Sequence, residues 1–196
     1  MATEQPIGFD HTLTIAAPAT KVLGAFFDAG ALSVWWNVTR SLATPQPLGV
    51  YALEWAPAAA VDDLLGRLGG VFHGSVMDFK AGRTLFVADA YFLPPDAEPI
   101  GPMALEVTCT SRRRLTAAVD VALAKLQPRP PAAEPMIGDT VGSPAVTSLR
   151  VVIRGYEDSA RWRRYYELLG VSLPAALDKL KEYLEHGRGI WDLRAW

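Results

Sequence analysis

Phe9-Asp10-His11-Thr12-Leu13-Thr14-Ile15-Ala16-Ala17-Pro18-Ala19-Thr20 is the stretch on which the fold turns. Phe9 to Ile15 alternates apolar and polar, the pattern of a strand with one buried face. Pro18 suits the first turn of a helix, where its missing N–H costs nothing. Val22, Leu23, Phe26 and Phe27 follow at helical spacing, and Gly30 is expected to stop that helix. Residues 31–37 read as a second short helix that tucks Trp35 or Trp36 under a sheet. The far end of the chain matches this start. Leu149, Val151 and Ile153 mark a last strand over 147–155, and Asp158 or Ser159 can cap a helix bearing Trp162, Tyr165, Tyr166 and Leu169. Gly170 and Pro174 are expected to interrupt it. A long amphipathic helix with Leu177, Leu180, Tyr183 and Leu184 then runs to Gly187.

Strands fill the space between. Tyr51, Leu53 and Trp55 share one face of a strand over 49–56. Residues 71–79 and 84–93 form a hairpin across Lys80-Ala81-Gly82-Arg83. The second of these is apolar on both faces, with Leu85, Val87 and Tyr91 against Phe86, Ala88 and Phe92. A strand with one face in water should alternate, so its outer face is expected to be covered by an inserted segment or another subunit. Residues 103–110 alternate cleanly, with Met103, Leu105, Val107 and Cys109 inward.

Two segments break this rhythm. In 57–70, Val61, Leu64, Leu65 and Leu68 sit at i, i+3, i+4 and i+7. They predict a short inserted helix, its start marked by Pro57 and Asp62-Asp63 and its stop by Gly69-Gly70, that covers the sheet or caps a pocket mouth. The segment 111–146 opens on Arg112-Arg113-Arg114 and carries Pro128, Pro130, Pro131, Pro135 and Pro144. Its second half reads as a long loop. Residues 115–126 suit either a helix or a strand, with the strand preferred. The tail, 187–196, ends in Ile190, Trp191, Leu193 and Trp196, and is expected to dock on the domain or on a neighbour.

At 196 residues the chain is long enough for one substantial core and short for two, so residues 1–196 read as a single domain. Half of it is hydrophobic and its net charge is −2. That balance argues against a nucleic-acid partner, which needs a basic face. Six Trp and seven Phe suit a wide core or a cavity wall. Cys109 is alone, which excludes an intramolecular disulfide and fits a buried thiol in a reducing compartment. Residues 1–8 lack the pattern of a signal peptide, and no apolar run of about 18 residues exists. A cytoplasmic location without a membrane span is expected.

Ile15-Ala16-Ala17-Pro18-Ala19, the Phe27-Asp28 turn, Leu32 to Trp36, and Gly74-Ser75-Val76-Met77-Asp78 form one set of matching pieces. Thr147-Ser148-Leu149-Arg150-Val151, Gly155-Tyr156 and Leu177 through Leu184 form the other. In this order and spacing, over about two-thirds of the chain, the sequence resembles the START-like (Bet v 1-like, SRPBCC) superfamily, and within it the branch named after the activator of Hsp90 ATPase. The resemblance implies an α+β helix-grip fold, in which a curved antiparallel sheet wraps round the C-terminal helix and two short helices follow the first strand. It also implies a cavity for an apolar ligand. Segments 57–70 and 111–146 are longer than that pattern needs, and Gly170-Val171-Ser172 stands where the family often has Gly-Trp.

Three functions follow from this reading. The first is binding of a small apolar molecule, with Trp35, Trp36, Trp55, His73, Val87, Tyr91, Leu105, Val107, Val151, Leu177 and Leu180 as the ligand-binding set. The aromatic members line a cavity or are plain core. The second is an enzyme of cyclase or hydrolase type. His11 shares a strand face with Phe9, Leu13 and Ile15, and Asp89 shares one with Val87 and Tyr91, so an inward acid–base pair is conceivable. Both residues are otherwise structural or solvent-facing. The third is a chaperone-associated interaction protein, in the sense of the branch name. No catalytic signature is present, so an enzyme is the less favoured reading. His11, His73 and His186 share no ligand spacing, so no metal is expected, and no cofactor is implied. The Arg161, Arg163 and Arg164 cluster reads as a solvated helix face with Glu157–Arg161 pairing. A homodimer through the outer sheet face or the C-terminal tail is expected.

Overall fold

The computed structural model describes residues 8–112, 145–155 and 157–187. Most of segment 111–146, with its strand-or-helix stretch and its proline-rich half, lies outside the described residues. So do Tyr156 and the tail from residue 188 onward.

Seven strands form one antiparallel sheet in the order β1-β9-β8-β7-β6-β3-β2. They are β1 (Gly8–Ile15), β2 (Arg40–Ala43), β3 (Val50–Trp55), β6 (Gly70–Lys80), β7 (Thr84–Leu93), β8 (Ile100–Arg112) and β9 (Val146–Gly155). The sheet is open, with β1 and β2 at its edges. Two short helices, α1 (Ala19–Gly24) and α2 (Ala29–Trp35), follow β1, and one long helix, α3 (Ala160–His186), closes the described chain. This is the α+β helix-grip arrangement. The first and last strands pair along their full length, from Gly8 opposite Arg154 to Ile15 opposite Thr147. The two ends of the sequence therefore form one side of the sheet.

The alternating strands behave as their patterns require. Met103, Leu105, Val107 and Cys109 are buried on β8, and Leu149, Val151 and Ile153 on β9. With Tyr51 and Leu53 of β3, they join Val22, Leu23, Leu32 and Trp35 from the short helices and Leu173, Leu177 and Leu180 from α3 in one hydrophobic core. Three polar contacts tie the chain ends to it. Tyr51 donates its hydroxyl to Phe26 O at 3.1 Å, Thr147 Oγ1 donates to Ala17 O at 2.6 Å, and Ala16 N–H donates to Glu185 Oε1 at 2.7 Å. Burial pushes the Cys109 thiol up to about 12, so it stays protonated and inert.

The structure corrects several local expectations. Gly30 does not end the first helix. Asp28 accepts from Ala31 N–H at 2.7 Å and starts α2 there, leaving Gly30 inside it. Segment 57–70 is not a helix but a loop with a small hairpin, β4 (Val61–Asp62) and β5 (Gly66–Arg67). The Asp62 carboxylate accepts from Leu64 N–H at 3.0 Å and Leu65 N–H at 3.1 Å, which holds the chain in a turn that competes with helix. Gly66 and Gly69 adopt φ of +76° and +98°, a conformation that ends the hairpin and that a side chain would resist.

Nor do Gly170 and Pro174 interrupt α3, which runs unbroken through both. Pro174 removes one hydrogen bond, to the carbonyl of Gly170, an exposed residue with open space round it. Burial of Trp162, Tyr165 and Tyr166 before that point, and of Leu173, Leu177 and Leu180 around and after it, outweighs the defect. The α3 cap is Ser159, whose Oγ accepts from Trp162 N–H. Asp158 instead pairs with Arg163 at 2.7 Å, and Arg161 bonds the carbonyls of Glu98 and Pro99 rather than Glu157.

A further correction comes from β7. Its register against β8 slips between Val87 and Ala90, where Asp89 adopts a φ of +48°. The extra residue reverses the face of everything after it. Leu85, Val87 and Ala90 are buried on the inner side, and Phe92 follows them. Tyr91 is carried to the outer face, where it stacks on His73 with ring centroids 5.9 Å apart.

Candidate functional site

Helix α3 does not meet the sheet evenly. Between its middle turns, Tyr165 to Lys179, and the strands lies a cavity of about 530 Å³. That volume falls within the range of roughly 300–1,000 Å³ typical of small-molecule sites. The floor is the cross-strand pair Leu105 and Ile153, flanked by Phe72 and Phe92. One wall is aromatic: Trp35 and Trp36 at the end of α2, and Trp55 at the end of β3. Helix α3 supplies the roof with Tyr165, Leu168, Leu169, Ser172, Ala175 and Ala176. The small side chains Ser172, Ala175 and Ala176 stand where larger ones would fill the gap. The inserted hairpin forms the mouth through Leu65, Leu68 and Gly69.

Apart from Asn37, Ser172 and Lys179, the lining side chains present little free hydrogen-bonding capacity. Trp35 donates its indole N–H to Ala25 O at 3.1 Å, and Trp55 donates its own to Trp36 O at 2.8 Å. The Tyr165 hydroxyl contacts Met103 Sδ at 3.7 Å, and burial raises its pKa, so it stays neutral. Trp35 and Trp36 stack with centroids 4.8 Å apart, and Trp55 meets Trp36 edge-on at 5.3 Å. The ring orientations are thereby locked before any guest arrives, which lowers the cost of binding.

Of the eleven expected ligand residues, Trp35, Trp36, Trp55 and Leu105 line the cavity. Val87, Val107, Val151, Leu177 and Leu180 are buried in the solid core beyond its floor. Val107 and Val151 form the next inward pair after Leu105 and Ile153, one step too far along the strands. His73 and Tyr91 are on the outer face, His73 because it follows inward Phe72 on β6. The acid–base pair is not assembled. His11 is half-buried on β1, stacked beside Phe9 with centroids 6.1 Å apart, while Asp89 is exposed at the β7 bulge. Strands β9 and β8 separate them, about 14 Å at the usual strand spacing. The sequence pattern puts Phe92 on the outer face of its strand, and the bulge at Asp89 turns it into the cavity. Ala175 and Ala176 carry no signal in a sequence, since a small residue announces neither core nor void.

The hairpin is latched to the roof. Arg164 on α3 donates through Nε to Asp62 Oδ2 at 2.8 Å, and Arg67 on β5 donates its backbone N–H to Asp96 Oδ1 at 2.8 Å. The Asp62 side chain is only 11 % exposed. The Arg164 hydrogen bond holds its carboxyl below the usual carboxylate value, followed by those from Leu64 and Leu65. A depressed carboxylate contributes its contact above the ordinary value near 3.8 and loses it as pH falls through the lowered one. The latch is thus fully engaged at neutral pH and releases only in strong acid. Arg164→Met is expected to raise the rate at which a lipophilic probe enters, by stopped-flow fluorescence, several-fold more than it changes equilibrium affinity. An unchanged entry rate would show that the hairpin does not gate the mouth.

No protein-family model matches the chain, and no curated protein matches it. Solved structures do match in fold. Protein CV1439 from Chromobacterium violaceum superimposes with a TM-score of 0.56 at 18% identity, over 92% of this chain and 99% of that one. Protein Ms6760 from Mycobacterium smegmatis gives 0.53 at 14%, over 91% and 90%. The Aha1 dimer from Colwellia psychrerythraea, a solution structure, gives 0.52 at 12%, over 93% and 99%. At these identities the likeness is one of fold, and it agrees with the helix-grip arrangement described above. No helix among the described residues is long and apolar enough to cross a membrane.

Proposed function

We propose that this protein is a START-like domain that binds one small, predominantly apolar molecule between α3 and the sheet. The observation that carries this reading is the cavity of about 530 Å³ with aromatic walls whose Trp35 and Trp55 N–H groups are already engaged. Apolar area removed from water there contributes roughly 25 cal/mol per Å², before the costs of association. A preformed void with locked rings keeps those costs low.

The enzyme reading has less support, because no described His, Asp or Glu lines the cavity and His11 and Asp89 are far apart. The chaperone-associated reading draws on the likeness to the Aha1 dimer alone. Self-association through the outer sheet face remains part of the proposal. Phe86, Met77 and Val50 are 37%, 47% and 47% exposed, and all three belong to the strands β7, β6 and β3.

Native mass spectrometry of freshly purified protein, followed by titration with a panel of lipophilic fluorescent probes, tests the reading. The expected result is a saturable signal at one site per chain, with quenching of the tryptophan emission. A panel in which every probe gives only a linear, non-saturating response would overturn it. The same spectra report whether two copies travel together.

A further inference from the structure

Among the described residues, the cavity lining carries one formal charge. Lys179 is the single ionised side chain among the described residues that form it, and no described carboxylate shares the lining. Ser172, Ala175, Ala176 and Lys179 are spaced i, i+3, i+4 and i+7 along α3, so they form one stripe facing the void. The apolar stem of Lys179 extends that stripe while its exposed ammonium reaches water at the rim.

The other cations near the mouth are neutralised. Arg164 pairs with Asp62 at 2.8 Å and Glu167 at 2.9 Å, and Arg67 pairs with Asp96 at 3.4 Å. Lys179 makes no ion pair with any described carboxylate. It stands beside an apolar cavity with its charge unanswered.

Resting on the reading of this cavity as a binding site, we propose that its ligand is an acidic amphiphile. An apolar body fills the space between the tryptophans and α3, and a carboxylate or similar anionic group at one end meets Lys179 at the rim. The apolar walls supply affinity, and Lys179 supplies orientation and selects against neutral and cationic analogues. A charge pair near water is worth only a small factor, and salt weakens it.

Three probes with the same chain separate the terms: decanoate, 1-decanol and decylammonium, titrated by tryptophan fluorescence at low salt. Lys179→Met is expected to weaken decanoate by about three- to five-fold and to leave 1-decanol unchanged. Lys179→Glu is expected to weaken decanoate further and strengthen decylammonium, with both effects shrinking as salt is raised. Lys179 is exposed, so both variants are expected to fold as the parent does. Parallel losses for decanoate and 1-decanol, or no loss for either, would overturn the acidic-ligand proposal and leave the apolar site standing. Failure of all three probes to saturate the parent protein, alongside the lipophilic panel, would overturn both.

Discussion

Ala176→Trp is expected to abolish saturable probe binding in a protein that stays folded. Ala176 is 8% exposed, faces the cavity from α3, and is one of the small residues that leave the gap open. An indole at this position occupies the space between the roof and the Leu105–Ile153 floor. The guest then loses the burial that drives its uptake. A drop of at least about 100-fold in affinity, roughly 2.7 kcal/mol, is the expected size. The side chain enters a void rather than packed atoms, so the strain that usually follows overfilling of a core is relieved. Circular dichroism and thermal unfolding check the fold. Ala175→Phe, nearer the rim, serves if the indole prevents folding. Parent-like affinity in a folded variant would place the binding site elsewhere.

The second large effect separates core from cavity. Leu177→Ala is expected to destabilise the protein by roughly 2–5 kcal/mol, a fall in the thermal midpoint on the order of 10 °C. Leu177 is fully buried in the solid part of the core, so truncation removes contacts on every side. Leu169→Ala, eight residues earlier on the same helix, is expected to cost well under half as much. Leu169 is half-buried and already borders empty space, so fewer contacts are lost. Probe affinity should move the other way, falling for Leu169→Ala and not for Leu177→Ala in the folded protein. Equal losses of stability would mean that the cavity is closed in solution.

Much of the fold was legible because strands and helices advertise their buried faces locally. Phe9 to Ile15 and 103–110 alternate with period two, 147–155 carries Leu149, Val151 and Ile153, and each became a strand with those residues inward. The hairpin over 71–79 and 84–93 followed from its turn residues. The misreadings arose where a non-local contact or one extra residue outweighed a short pattern. Four leucines and valines at helical spacing in 57–70 were too few to decide against Asp62, whose carboxylate holds a turn and a partner 102 residues away. Pro174 stayed inside a helix because packing on both sides of it exceeded one lost hydrogen bond.

Of the expected site residues, the three tryptophans and Leu105 line the cavity, five others lie in the core and two face outward. Asp89 and its bulge account for Tyr91, since period two cannot survive an inserted residue and nothing nearby signals the insertion.

From the order of strands and helices and from the matched ends, the chain by itself determined that a sheet would wrap a C-terminal helix. Where the helix and sheet part was decided only by the tertiary structure. A residue's face is written in its neighbours along the chain. A void is the shortfall left when side chains from α2, α3, the hairpin and five strands of the sheet are summed in one place, and no local pattern records that sum.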